Sequence, residues 1–141
     1  MISRATEIAN LIRQVGIAHR TKANEWIADA SLTPEQAFAL GHIVDNQDNG
    51  VIARDLAEVT RTKPASVANL VKGLETRGLI TRAPSPTDSR IKLIHPTELG
   101  TQLHADFKDT LGKADEDIFG SLTPAEQDQL IALLERITEN S

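Results

Sequence analysis

Seven cationic side chains crowd into one short stretch of an otherwise acidic chain. Arg61, Lys63, Lys72, Arg77, Arg82, Arg90 and Lys92 lie between positions 61 and 95, opposed there only by Glu75 and Asp88. The stretch carries a net charge of +5 within a 141-residue chain whose total is −5, which leaves −10 for the remainder. Clustered Lys and Arg neutralise phosphates, so the asymmetry points to a surface that meets a polyanion. Two finer patterns sit inside the stretch. Ala65, Asn69, Lys72 and Thr76, flanked by Ser66 and Gly73, recur at helical spacing without an acid among them. A narrow, acid-free face with an amide donor is what a DNA major groove admits. Further on, "PSPTDSR" places Asp88 two residues before Arg90. Turn geometry needs neither side chain. The bland alternative for this pair is a surface ion pair, worth about 0–1 kcal/mol.

The elements that would position these side chains follow from periodicity. Residues 3–30 read as a long helix, with Ile8, Leu11, Ile12 and Val15 at helical spacing and a stripe wide enough to want a partner helix. "SLTPEQ" and "SLTPAEQ" are helix starts in which Thr33 and Thr123 cap, a proline enters the first turn, and Gln36 and Glu126 complete capping boxes. The helix after Thr33 ends near "NQDNG". Ile52, Leu56, Ala57 and Val59 mark a short helix, and "TRTK" is a polar turn. Pro64 starts the next helix, whose Val67, Leu70, Val71 and Leu74 form one buried stripe and which Gly78 ends. Two short helices joined by a tight turn make a helix-turn-helix. "LITRA" and "RIKLIH" are strand-like and flank a two-proline turn, giving a β-hairpin directly after it. That order is a winged helix. From position 97 a long helix capped by Thr97 carries Leu99, Leu103, Phe107, Leu111, Ala114 and Ile118 as its apolar stripe, with Asp115, Glu116 and Asp117 on a solvated face. A last helix follows Thr123.

The fold class is therefore mainly α with a small β-hairpin: a winged helix-turn-helix flanked by long N- and C-terminal helices. One domain suits this length, and such a chain can bury roughly 68–70% of its unfolded surface. Cys is absent, which excludes disulfides, thiolate metal sites and thiol switches. No apolar run is long enough to span a membrane, and the N-terminus has no continuous apolar segment, so a cytoplasmic protein is the simplest expectation. Four histidines, His19, His42, His95 and His104, contain no i, i+4 pair and no HExxH. No GxGxxG, P-loop or GxSxG occurs, so neither a cofactor nor an enzyme is expected. Aromatic residues are 3% of the chain, too few for the stacking platforms of single-stranded nucleic acid.

Residues 55–100, "DLAEVTRTKPASVANLVKGLETRGLITRAPSPTDSRIKLIHPTELG", resemble the multiple-antibiotic-resistance regulator (MarR) family of bacterial winged-helix transcription factors. The likeness lies in the Leu-Ala pair, the "Leu-Glu…Gly-Leu-Ile…Arg" helix exit, the "Asp-x-Arg" wing tip and the "Thr-x-x-Gly" return to helix. It implies a single domain over 1–141, with dimerisation helices at 1–32 and 97–141 and a DNA-reading part at 33–96. It implies a homodimeric, sequence-specific regulator of double-stranded DNA, a repressor, released by a small aromatic or carboxylated effector. Carried over by position, Arg90 enters the minor groove and Asp88, on the same side of a strand edge, holds it. Arg54, Arg61, Lys63 and Lys72 become phosphate contacts, while Ser66 and Asn69 face the bases, Asn69 being able to pair with adenine. About four phosphates per protomer give a log–log salt slope near −7 for a dimer.

The sequence departs from the family at three points. Asn69 stands where a large polar residue is common, Gly73 near where another basic residue is common, and Ile52 where a polar cap is common, leaving the third helix frayed at its start. Some relatives sense zinc through His and Glu, and His19, His42 and His104 lie in comparable regions; no metal ligand is assigned. Trp26 is expected to pack at the first helix. Trp26, His42 and Arg13 are candidates to line an effector pocket, without assignment. The competing classes are a dimeric adaptor that keeps the fold and has lost DNA binding, and a metal-dependent sensor.

Overall fold

A computed structural model describes residues 1–139; Asn140 and Ser141, the end of the expected C-terminal dimerisation segment, lie outside the described residues. The element order is α1 (Arg4–Asp29), α2 (Pro34–Asp45), α3 (Ala53–Thr60), α4 (Pro64–Thr76), β1 (Ile80–Pro84), β2 (Lys92–Pro96), α5 (Glu98–Phe119) and α6 (Pro124–Glu139). Both capping boxes form. Thr33 accepts from the Gln36 amide at 3.1 Å, and Gln36 accepts from the Thr33 amide at 3.0 Å. Thr123 and Glu126 repeat the exchange at 3.2 and 2.9 Å. Lys63, held extended by the following proline (φ −71°, ψ 150°), precedes α4. Gly78 (φ +74°) closes α4 in a Schellman motif: its amide donates to Glu75 and the Leu79 amide to Leu74.

The chain forms two compact units. The larger spans Asn24–Asp109 and holds the winged helix. Its core is Ile27, Leu32, Ala39, Leu40, Ile43, Val51, Leu56, Val67, Val71, Leu74, Leu79, Ile80 and Ile94. The predicted α4 stripe is thus the buried one. The unit reaches beyond 33–96 because Trp26, Leu103 and Phe107 pack on the same core. Trp26 meets Phe107 edge-on with centroids 4.9 Å apart, a favoured aromatic arrangement. The hairpin is antiparallel, pairing Ile80 with Pro96, Arg82 with Ile94 and Pro84 with Lys92. Val51 extends the sheet on the other side of β2 by exchanging two backbone hydrogen bonds with Ile94.

The smaller unit comprises Met1–Ala23 and the chain from Thr110 onward. Ile8, Leu11, Ile12 and Val15 of α1, and Ile131, Leu133, Leu134 and Ile137 of α6, remain exposed. Ile8, Ile12, Leu130, Leu133, Leu134 and Ile137 line an open groove of about 500 Å³.

Three local expectations are corrected. Leu99 is 58% exposed rather than part of the α5 stripe. The first turn of α5 presses Gly100 onto the backbone of Leu79, so tightly that a Cβ there would lie 2.1 Å from the Leu79 oxygen. This rotates the inward side of the helix toward Gly100, Leu103 and Phe107. Asp115 does not stand free in solvent: it bonds His19 Nδ1 at 2.6 Å and ties α5 to α1 within the smaller unit. The start of α3 is not frayed, because the Asp55 carboxylate accepts from the Ile52 amide at 3.2 Å. Among the described residues no helix is long and apolar enough to cross a membrane.

Candidate nucleic-acid interface

The helix-turn-helix is α3, its turn and α4. The turn is tightened from within. Thr60 donates to the Leu56 carbonyl at 2.7 Å, the Thr60 and Thr62 hydroxyls bond at 2.7 Å, and the Thr62 amide reaches Ala57. Arg61 ends α3 in the left-handed region (φ 54°), a conformation that costs a residue with a Cβ about 1–2 kcal/mol. Its side chain and that of Lys63 are exposed at this turn, and Arg54 is exposed at the opposite end of α3.

Helix α4 buries Val67, Val71 and Leu74. Ala65, Ser66, Asn69, Lys72 and Thr76 are all exposed, so the predicted acid-free face points to solvent. Gly73 has a structural reason for lacking the basic side chain that the family resemblance leads one to expect. A Cβ there would lie 2.9 Å from Gln36 Nε2, and Gln36 is held in place by the α2 capping box. The small residue lets the start of α2 press against α4.

Asp88 and Arg90 lie in the loop between β1 and β2, not on a strand edge. Strand alternation therefore does not bring them together; a tight turn does. One Asp88 oxygen accepts from the Arg90 amide at 3.1 Å and from Nε at 3.0 Å, and the other from an Arg90 terminal nitrogen at 3.1 Å. These bonds hold the Asp88 carboxyl below its usual range and raise the guanidinium further. The Arg90 side chain is nevertheless 88% exposed. A cation is thus fixed in direction and left open at the tip of the hairpin.

Two cations of the basic stretch have other work. Arg77 donates to the carbonyls of Ala30 at 2.7 Å and Ser31 at 2.9 Å, joining the end of α4 to the end of α1. Those carbonyls are among the ones a helix C-terminus leaves unsatisfied, and a cation there also complements the helix dipole. Arg82 forks onto Glu75, with Nε 3.2 Å and Nη2 2.9 Å from its two oxygens. The side-chain bonds from Arg82 pull the Glu75 carboxyl below its ordinary range and raise the guanidinium in return. The sequence signal for the second contact was the "Leu-Glu…Gly-Leu-Ile…Arg" helix exit, which carries both Glu75, the one acid on α4, and Arg82; Arg77 had none.

The histidines do not gather. Among the described residues no group of three or more His, Cys, Asp or Glu side chains is arranged to hold a metal ion. His104 packs over Gly41, whose added Cβ would lie 3.0 Å from the ring, and stacks near Phe107 with centroids 6.4 Å apart. Burial lowers its pKa below the ordinary histidine value.

The MarR family model matches residues 30–91, which contain the helix-turn-helix, β1 and the hairpin loop, and end before β2. A Thauera aromatica protein assigned as a transcriptional regulator of the hcr operon is 32% identical over 96% of this chain and 81% of its own length. A Clostridium acetobutylicum protein assigned to the MarR family of transcriptional regulators is also 32% identical, covering 96% of this chain and 99% of that one, with a TM-score of 0.78. MepR, which regulates the Staphylococcus aureus multidrug efflux pump MepA, superposes with a TM-score of 0.84 at 25% identity over 94% of this chain and 96% of that one. The S. aureus MepR–DNA complex superposes with a TM-score of 0.77 at 26% identity, over 94% of this chain and 98% of that one. MepR has also been solved bound to ethidium bromide.

Proposed function

The chain belongs to the MarR family of transcriptional regulators, and on that premise we propose that it is a sequence-specific repressor that grips double-stranded DNA as a homodimer. The observation that carries this reading is the Asp88–Arg90 fork, an exposed guanidinium held in one direction at a hairpin tip. Arg90 enters the minor groove, where enhanced negative potential attracts a cation. Pre-ordering by Asp88 reduces the entropy lost on binding. Ser66 and Asn69 face base edges in the major groove, and Arg54, Arg61, Lys63 and Lys72 lie against phosphates. That S. aureus MepR, which shares this fold, has been solved in complex with DNA supports DNA as the partner.

Dimerisation is supported by the apolar surface of the smaller unit. Single exposed apolar residues are ordinary, but a contiguous set across α1 and α6 marks an association surface. The two recognition helices are expected about 34 Å apart, one DNA turn. A small aromatic ligand, a class to which the ethidium bound by MepR belongs, acts as effector by binding better to a dimer whose spacing does not fit successive grooves. Repression then follows from occupancy of promoter DNA in the cytoplasm, and the effector releases it.

The test is a gel shift and footprint on the DNA upstream of the chain's own gene, with and without Arg90→Ala. A protected pseudo-palindrome with half-sites one turn apart is expected, along with weaker binding by the variant. No retention even at about 50 mM salt, where phosphate contacts are strongest, refutes the reading and leaves an adaptor on the same fold. A change in affinity on adding a chelator would identify a metal sensor instead.

A further inference from the structure

The wing is held through β2 as far as its middle rung: Ile80 and Ile94 are buried, and Val51 pairs with Ile94, the residue opposite Arg82. On β1 the four residues Thr81 to Pro84 are exposed. Two-stranded ribbons twist and flex readily when one face is not packed. Among the described residues, the Arg82–Glu75 fork is the sole hydrogen-bonded side-chain link from β1 or β2 to α4. It joins the middle of the wing to a residue one helical turn beyond Lys72.

We infer that Arg82 and Glu75 are positioning residues that brace the wing against the recognition helix, so that Arg90 and Asn69 meet adjacent grooves in one fixed geometry. This rests on the DNA reading above. A planar guanidinium on two carboxylate oxygens fixes direction as well as distance, which a single bond does not. The same contact neutralises the one acid on α4, placed where it would otherwise repel the phosphate backbone.

The brace and simple charge make opposite forecasts. Glu75→Gln removes an acid from the basic head, so charge alone predicts tighter binding to every duplex. The brace predicts that Arg90 loses its aim. The experiment is a double-mutant cycle by fluorescence anisotropy on the duplex footprinted upstream of the gene. Arg90→Ala is measured in the unmodified, Glu75→Gln and Arg82→Lys backgrounds. Arg82→Lys keeps the net charge and loses the planar fork. The Arg90→Ala penalty is expected to shrink by about threefold or more in both altered backgrounds, the size of coupling between residues that act together. An equal penalty in all three backgrounds overturns the brace.

A second readout needs no DNA. The chain has no cysteine, so spin labels on Ser89→Cys at the wing tip and Ala68→Cys on α4, in chains diluted with excess unlabelled protein so that a dimer carries one labelled protomer, report one distance. Its distribution is expected to broaden on Glu75→Gln in the free protein, and an unchanged width overturns the brace while leaving the DNA reading intact. Failure of the unmodified protein to bind any duplex overturns the DNA reading instead, and is seen before any variant is compared.

Discussion

Arg77→Gln and Lys72→Ala each delete one cation from the same basic stretch, yet their consequences are expected to separate cleanly. On the proposed reading, Arg54, Arg61, Lys63 and Lys72, doubled in a dimer, neutralise about eight phosphates, for a log–log salt slope near −7. Lys72→Ala removes two of these contacts and flattens the slope to about −5, weakening all duplexes alike. Lys72 is exposed and its side chain holds no other element, so thermal stability stays within about 0.5 kcal/mol. Arg77 is engaged otherwise, by bonds of 2.7 and 2.9 Å to Ala30 and Ser31. Hydrogen bonds to a charged group contribute roughly 1.5–3 kcal/mol when shielded, and solvent access at this site reduces the pair to about 1–2 kcal/mol. For a chain of this length that lowers Tm by roughly 3–6 °C, while the salt slope stays near −7. Anisotropy titrations between about 50 and 200 mM salt give the slopes, and circular dichroism melts give the stabilities. If Arg77→Gln flattens the slope as much as Lys72→Ala does, Arg77 is a phosphate ligand and the division of labour among the cations is refuted.

Three further outcomes follow from single contacts. Arg61→Gly relieves a left-handed backbone (φ 54°) while deleting a proposed phosphate contact, so melts should show unchanged or slightly higher stability and titrations a slope shallower by about 2; a large drop in Tm would contradict this. Gly100→Ala drives a Cβ to within 2.1 Å of the Leu79 oxygen, which also accepts from Thr97, and should cost about 1–3 kcal/mol in denaturant unfolding, where a neutral result would show that α5 can back away freely. His104, lowered by burial, binds fewer protons folded than unfolded, so its contribution is full above the ordinary histidine pKa and is lost as pH falls through that value toward the depressed one; His104→Gln should flatten the decline in Tm between about pH 7 and 5, and an unaltered decline would assign it to other groups.

Local rules served well wherever one residue type has one use. Thr33, Thr123 and Gly78 cap as their types require, and the Val67–Leu74 stripe buries because the helix-turn-helix leaves it no other direction. The acid-free face of α4 was legible for the same reason: it is what remains once that stripe is fixed. Leu99 misled because periodicity gives the spacing of a stripe but not its phase, and the phase of α5 is set by Gly100 against the Leu79 backbone. Asp115 misled because its partner, His19, is distant in sequence. The proximity of Asp88 and Arg90 was legible from the sequence, but not its cause, because a turn can align two side chains that strand alternation was expected to align. The basic stretch was the least transparent. A count of cations treats Arg77 and Arg82 as equal to Lys72, and only the carbonyls of α1 and the carboxylate of Glu75 reveal that both arginines hold the reading head together.

That division bears on how an acidic protein can hold a polyanion. With −5 in total per chain, the long-range field repels DNA, and only charge within about one Debye length of the phosphates, roughly 8 Å at physiological salt, acts with little screening. Once Arg77 and Arg82 are committed internally, few cations remain to act at that range, and Arg90 arrives already carrying its own carboxylate. On the proposed reading, attraction to arbitrary duplex then rests on Arg54, Arg61, Lys63 and Lys72 against phosphates. Preference for one duplex must come from placing the groove-reading groups together, in register, in two grooves at once. Under such a constraint a bond that fixes the angle of the wing matters more for binding than another lysine would, because an added cation strengthens every site equally whereas a fixed angle strengthens only the duplex that fits.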